Sequence, residues 1–275
     1  MASNSAWQTE LDVGWIQMPS RFSLVKWYMD CVTDAGDLAI LYCADLSWRG
    51  VSATYSSVLS VCQGSNEARS SMASYQLSST GDEIQVAIPR LRVSGSWKAD
   101  AAAVERNVFS NAEGAVHWQC LQPRSRAHLC LGVQEFAGLG YAECLTVTLP
   151  PWQLPMRELR WGRFVSAEDS LAWVDWKGDY STAFAVHNGD IDEELSASDS
   201  EIAIPGVTLS MDESCSLRAG RVESTILPGA SALRRLLPSS LFSIEEQKWR
   251  SRGVLTAKDR SSSGWVIHEV VHWKV

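Results

Sequence analysis

Acidic side chains on otherwise apolar strand faces are the residues of this chain most suited to chemistry. In the run 265–273, Trp-Val-Ile-His-Glu-Val-Val-His-Trp, two-residue alternation puts Glu269 on one face with Trp265, Ile267, Val271 and Trp273. In 141–149, Glu143 shares its face with Tyr141, Leu145, Val147 and Leu149, and Asp175 shares one with Leu171 and Trp173. A carboxyl surrounded by apolar groups holds its proton to higher pH and suits a general acid. The simpler alternative is that each acid pairs with an arginine, since Arg157, Arg160, Arg163, Arg250 and Arg252 are close by in sequence. His117, in mid-strand beside Trp118, is a general-base candidate or a satisfied interior histidine. Lys26, Tyr28 and Asp30 share a face that lines a cavity mouth or meets solvent. On strict alternation Trp161 and Arg163 share a face and Arg160 looks the other way. Arg163 is therefore the better candidate to bind a substrate carboxylate or enolate oxygen.

Other chemistries find no support. The sequence contains no Gly-rich phosphate loop, no G-x-S-x-G elbow, no H-E-x-x-H and no paired Cys ligands. His268 and His272 would share a strand face about 13 Å apart, too far for one metal ion. No metal and no cofactor is expected. The net charge of -8 and the lack of a Lys/Arg run argue against a nucleic-acid partner. The acidic stretch 190–194 reads as a solvated turn. No run approaches 18 consecutive apolar residues, so no transmembrane segment is expected. The start, Met1 to Trp7, has neither a basic nor an apolar signal region. The seven cysteines are odd in number and scattered, which fits buried thiols in a reducing cytoplasm. The sequence does not set the oligomeric state.

The elements that must position these residues are β-strands. A hairpin is expected from Phe22–Cys31, the turn 33–36 and Asp37–Asp45, followed by strands at 54–62, 84–88, 91–97, 115–121, 141–149 and 158–165. Further strands are expected at 171–176, 182–187, 207–217, 221–227, 247–256 and 265–274, with short helices at 230–242 and at 99–108. Residues 149–155 hold three of the nine prolines and cannot continue a central strand. They divide the chain into an N-terminal β domain, 1–150, and a C-terminal β domain, 156–275. Thirteen tryptophans against six Phe and six Tyr call for wide cavities or long sheet faces to fill.

Several segments resemble the lipocalin-like superfamily of carotenoid 1,2-hydratase (hydroxyneurosporene synthase). They are Lys26-Trp27-Tyr28 before the 34–36 hairpin, Gly138 to Glu143, Leu159 to Phe164, Lys248-Trp249-Arg250 and the closing strand from Trp265 to Trp273. The resemblance runs from about residue 20 to the end. It implies an all-β fold of two lipocalin- or calycin-like barrel or sandwich halves with one or two short helices. It also implies relatives that hydrate, cyclise or isomerise apolar polyene and polyketide-like substrates without a redox cofactor, some of them pericyclases. The Asp-His-Asn-Trp-type stretch of the hydratases is missing, which argues against carotenoid hydration itself.

The function expected is a cofactor-independent isomerase, cyclase or hydratase-type lyase for a hydrophobic unsaturated small molecule, isoprenoid or polyketide-like. Glu143 is the expected proton donor and Glu269 or His117 the second acid/base, with Trp118, Tyr141, Trp161, Arg163, Trp173 and Trp265 lining the cavity. The alternative is a non-catalytic lipocalin-like carrier of an apolar ligand, which needs no buried acid. An interaction scaffold with a solid core is a third possibility. A carboxyl facing a cavity without an arginine favours the enzyme, and acids locked in ion pairs favour the carrier.

Overall fold

The computed structural model describes residues 22–221, 244–258 and 260–273. Ten strands form the first sheet: β1 (Phe22–Val32), β2 (Leu38–Trp48), β3 (Val51–Cys62), β4 (Ser65–Ser71), β5 (Gln76–Thr80), β6 (Glu83–Ile88), β7 (Val93–Ala99), β8 (Val104–Asn111), β9 (Gly114–Leu131) and β10 (Gln134–Val147). Nine form the second: β11 (Met156–Val165), β12 (Ser170–Gly178), β13 (Thr182–His187), β14 (Asp190–Asp192), β15 (Ser196–Ala197), β16 (Glu201–Ile204), β17 (Val207–Arg221), β18 (Glu245–Ala257) and β19 (Arg260–His272). Both sheets are antiparallel and curled into half-barrels, the all-β two-half architecture expected from the sequence. The proline-rich segment lies between them as a short 3₁₀ turn at Pro151–Gln153.

The two sheets share one topology. The first runs β4-β3-β2-β1-β10-β9-β7-β6-β5, with β8 also paired to β9, and the second runs β14-β13-β12-β11-β19-β18-β17-β16-β15. In each, the first strand of the half pairs with its last. Alternation gives each sheet two buried faces. One face of the first sheet fills its own barrel with Met29, Leu41, Trp97, Leu129 and Phe136, and one face of the second does so with Phe164, Trp173, Leu209 and Val266. The opposite faces meet in a third, shared core that includes Tyr28, Trp118, Tyr141, Trp161, Phe184 and Ile267.

Some expectations need correction. Residues 99–108 are not helical: Ala99 ends β7 and Val104 begins β8, whose buried Val108 and Phe109 join the shared core. Among the described residues the only helical turns are 3₁₀, at Pro89–Leu91 and Pro151–Gln153. β9 and β10 are far longer than the runs 115–121 and 141–149, because Pro123 does not end β9. Its missing N–H falls where the β9–β10 register shifts, between Gly140, Ala142 and Glu143, so no ladder bond is lost. Asp190, Ile191 and Asp192 form the short β14, largely exposed, with Glu193 bound to Arg106. The expected helix 230–242 lies outside the described residues, as does the expected strand 221–227 beyond Arg221.

Candidate functional site at the contact between the two halves

Glu143 lies in β10 opposite Tyr28 of β1 and Cys120 of β9. Its side chain is buried and enters the shared core. Three donors converge on one of its oxygens, Oε2: Trp118 Nε1 at 2.6 Å, Tyr141 Oη at 2.7 Å and Trp161 Nε1 at 3.2 Å. Trp118 and Tyr141 come from the first sheet and Trp161 from the second. Burial raises the Glu143 pKa, and it outweighs the three hydrogen bonds and the more distant Lys26, all of which favour the anion. No arginine contacts this carboxyl among the described residues.

Glu269 occupies the matching place in the second sheet. Counted from the hairpin ends Val32–Leu38 and Val165–Ser170, Asp30 matches Arg163 and Tyr28 matches Trp161. On the closing strands, Glu143 stands opposite Tyr28 and Glu269 opposite Trp161. The residue facing Glu269 from β18 is Lys248, where the first half has Cys120. Lys248 is buried and ion-paired with Glu269. Its ammonium lies 5.5 Å from the centre of the Tyr28 ring and 5.1 Å from that of Trp161. Burial alone would raise the Glu269 pKa, but Lys248, with Lys26 and Arg218 in support, brings it down to about 2. Glu246, beside this pair, binds Arg218 at 2.5 Å.

The matched pair Asp30 and Arg163 meet each other. Both are fully buried, and the guanidinium binds the carboxylate through Nε to Oδ2 at 2.8 Å and Nη2 to Oδ1 at 2.7 Å. The Tyr28 hydroxyl donates to Asp30 Oδ2 at 2.8 Å, and Arg163 Nη1 donates to the Trp265 carbonyl at 2.8 Å. Each guanidinium nitrogen and each carboxylate oxygen of the pair thereby has a partner, which is what burying it requires.

The structure thus brings Glu143, Trp118, Tyr141 and Trp161 into direct contact, with Glu269 reached through Trp161 and Arg163 through Asp30 and Tyr28. Trp265 lies at one end of the shared face, under Arg250 and Arg252 and against Gly36, whose positive φ and lack of a Cβ admit the indole. Trp173 is inside the second barrel, lying across Gly162, where a Cβ would overlap its ring. His117 is not brought to the acids: its ring binds Asn107 at 3.0 Å and nears Glu105 at 3.6 Å, on the face of β9 opposite Trp118. Asp175 pairs with Lys177 at 3.0 Å, and Arg160 pairs with Glu158 and Asp199. A cavity of about 240 Å³ opens in the second half, bounded by Trp161, Trp173, Trp249, His268 and Glu269. Burial holds His268 neutral, with its pKa down to about 4, and Ser251 Oγ lies 3.0 Å from its Nε2.

Asp30 and Lys248 are the residues that sequence reasoning placed least well. Asp30 was signalled by its shared face with Tyr28. Lys248 sits in a stripe of charges, Glu246, Lys248, Arg250 and Arg252, that reads as a solvated face but packs in part against the first sheet.

Comparison with protein-family models gives no match, and neither does comparison with curated proteins. Solved structures do match. NE1406 of Nitrosomonas europaea, an AttH candidate, aligns over 100% of both chains with a TM-score of 0.59 at 7% identity. CghA, solved with Sch210972, aligns over 92% of this chain and 89% of its own, with a TM-score of 0.54 at 10% identity. Kievitone hydratase from Nectria haematococca aligns over 92% and 90%, with a TM-score of 0.54 at 12% identity. What is shared at these identities is the fold, an all-β architecture of two half-barrels.

Proposed function

We propose that this protein is a cofactor-independent acid/base catalyst, an isomerase, cyclase or hydratase-type lyase, acting on a hydrophobic unsaturated small molecule of isoprenoid or polyketide-like character. The observation that carries this reading is the Glu143 carboxyl, buried with no cation in contact among the described residues and held by three neutral donors. With all three on Oε2, the proton of the neutral acid belongs on Oε1, free to be given to an alkene carbon or a carbonyl oxygen. Glu269 supports the complementary role. Held as an anion by Lys248, it is a base on the other side of Trp161, and the two carboxyls have pKa values pushed in opposite directions, as a donor and acceptor require. His117 is the weaker second group because it faces away from both. Trp118, Tyr141 and Trp161 would pack against the substrate and exclude water, and Lys248 and Arg163 would supply positive potential for developing oxyanion charge. The fold likeness to a protein named as a hydratase, and to one solved with a small molecule, fits such chemistry. The break between the sheets at 147–156 supports reading 1–150 and 156–275 as two domains whose contact makes the site.

The second reading, a lipocalin-like carrier of an apolar ligand, is favoured by one observation. The cavity of about 240 Å³ has Glu269 on its wall, already ion-paired, and not Glu143.

The deciding experiment incubates the protein with a panel of farnesol, β-ionone and naringenin in D2O and follows rearrangement, hydration and deuterium uptake by mass spectrometry. Glu143→Gln should lower turnover by about 10²–10⁴-fold while leaving quenching of tryptophan fluorescence by the same ligands intact. Binding without any turnover or exchange in the parent protein would select the carrier.

A further inference from the structure

Three metal-ligating side chains of different kinds come together far from the acids. β9 and β10 form a hairpin whose register sets Cys130 opposite Glu135, and His128 lies two residues before Cys130 on the same face. One ligand atom from each of His128, Cys130 and Glu135 lies within 4.8 Å of the others, and His128 Nε2 is 3.9 Å from Glu135 Oε2. The opposite face of the hairpin anchors this arrangement, because Leu129, Leu131 and Phe136 are buried in the first barrel and fix both strands. On the neighbouring β7, Ser94 and Ser96 stand opposite Cys130 and His128, so the side chains flanking these two ligands on that strand are small. His128 and Glu135 are exposed and Cys130 is half-buried, so a dissolved ion reaches them directly.

We propose that His128, Cys130 and Glu135 bind a zinc-class divalent cation, with water completing the coordination. Around a tetrahedral zinc the ligand atoms stand roughly 3.5 Å apart. Small rotations of two exposed side chains on a fixed hairpin bridge the difference. A thiolate, an imidazole and a single carboxylate suit zinc or cobalt and are a poor set for calcium or magnesium, which take several oxygens. The two anionic ligands balance the charge of the ion, and binding releases the thiol proton. The sequence concealed the site because its ligands are spaced for a strand pair, with no C-x-x-C to announce them. The site is independent of the acid/base reading above.

The test titrates tag-free, reduced protein with Co²⁺, then displaces it with Zn²⁺. The expected result is one equivalent bound with a sulfur-to-cobalt charge-transfer band in the near ultraviolet. Cys130→Ser should abolish the band. His128→Ala should weaken binding by more than the 10–100-fold typical of losing an outer-shell partner. Glu135→Gln should weaken it to a smaller extent, and Cys62→Ser and Cys215→Ser, at the other half-buried thiols, should leave it unchanged. Circular dichroism of each variant checks that the fold is kept. No band in the parent protein, a band that survives Cys130→Ser, or equal affinity in His128→Ala overturns the proposal, the last by showing a lone thiolate at work.

Discussion

The two halves of this molecule repeat one strand order, and at the same point of that order each places a glutamate beside an aromatic residue. Glu143 faces Tyr28 and Glu269 faces Trp161. Their pKa values nevertheless move in opposite directions. The next strand offers Cys120 to the first and Lys248 to the second. A thiol leaves burial free to raise the Glu143 pKa, whereas an ammonium in contact overrides burial and lowers that of Glu269 to about 2. The backbone therefore decides where a carboxyl sits, and one cross-strand neighbour decides which way its pKa moves. The same logic governs Asp30 and Arg163. Two like charges at matched positions would repel across the shared face, and the opposite pair binds the halves together.

The largest effect should come from breaking that matched pair. Arg163→Met leaves the Asp30 carboxylate buried without its cation and should cost about 3–5 kcal/mol in urea unfolding. Because the two positions match, exchanging them in Asp30→Arg/Arg163→Asp should recover part of the loss, and a double variant no better than the single ones would deny the equivalence.

A moderate effect separates the two glutamates by pH. The folded pKa of Glu269 lies below its ordinary value of 4.5, so the stability it contributes is present above that pH and lost as pH falls from about 4.5 to about 2. Glu143 has the opposite sign. Its folded pKa is raised, so its contribution is greatest below the ordinary carboxyl range and fades as pH rises through the folded value. Unfolding curves of Glu143→Gln and Glu269→Gln, each subtracted from the parent across pH, should slope in opposite directions. Parallel slopes would mean that Lys248 does not distinguish the two sites.

The smallest effect is expected at His117. It faces away from both acids, so His117→Ala should change stability by no more than about 0.5 kcal/mol and leave turnover of any identified substrate unaltered.

Much of this was legible in the sequence because strands have a period of two. Alternation alone put Glu143 with Tyr141, Glu269 with Trp265, and Arg163 with Trp161, and those faces are the ones that meet between the halves. What alternation cannot supply is the partner across strands distant in sequence. Nothing local joins Asp30 to Arg163 or Lys248 to Tyr28. The register shifts beside Pro123 also move β9 two residues past β10. A one-residue slip would turn every side chain over, while two leave the faces intact and bring Cys120, in place of Gln122, opposite Glu143. Lys248 was hidden by its charged neighbours, since a stripe of ions reads as a wet surface.

The pairing of first strand with last has a consequence for how the molecule comes into being. β1 waits for β10, and β11 for β19, so the contacts that bury Glu143 and Glu269 join the two ends of each half. Such distant pairings form slowly because the intervening chain must be closed into a loop first. Until then Glu143 is an ordinary hydrated carboxylate, and Asp30 has no partner. The raised pKa of Glu143 is accordingly a property of the finished chain alone, acquired with the closing steps of folding.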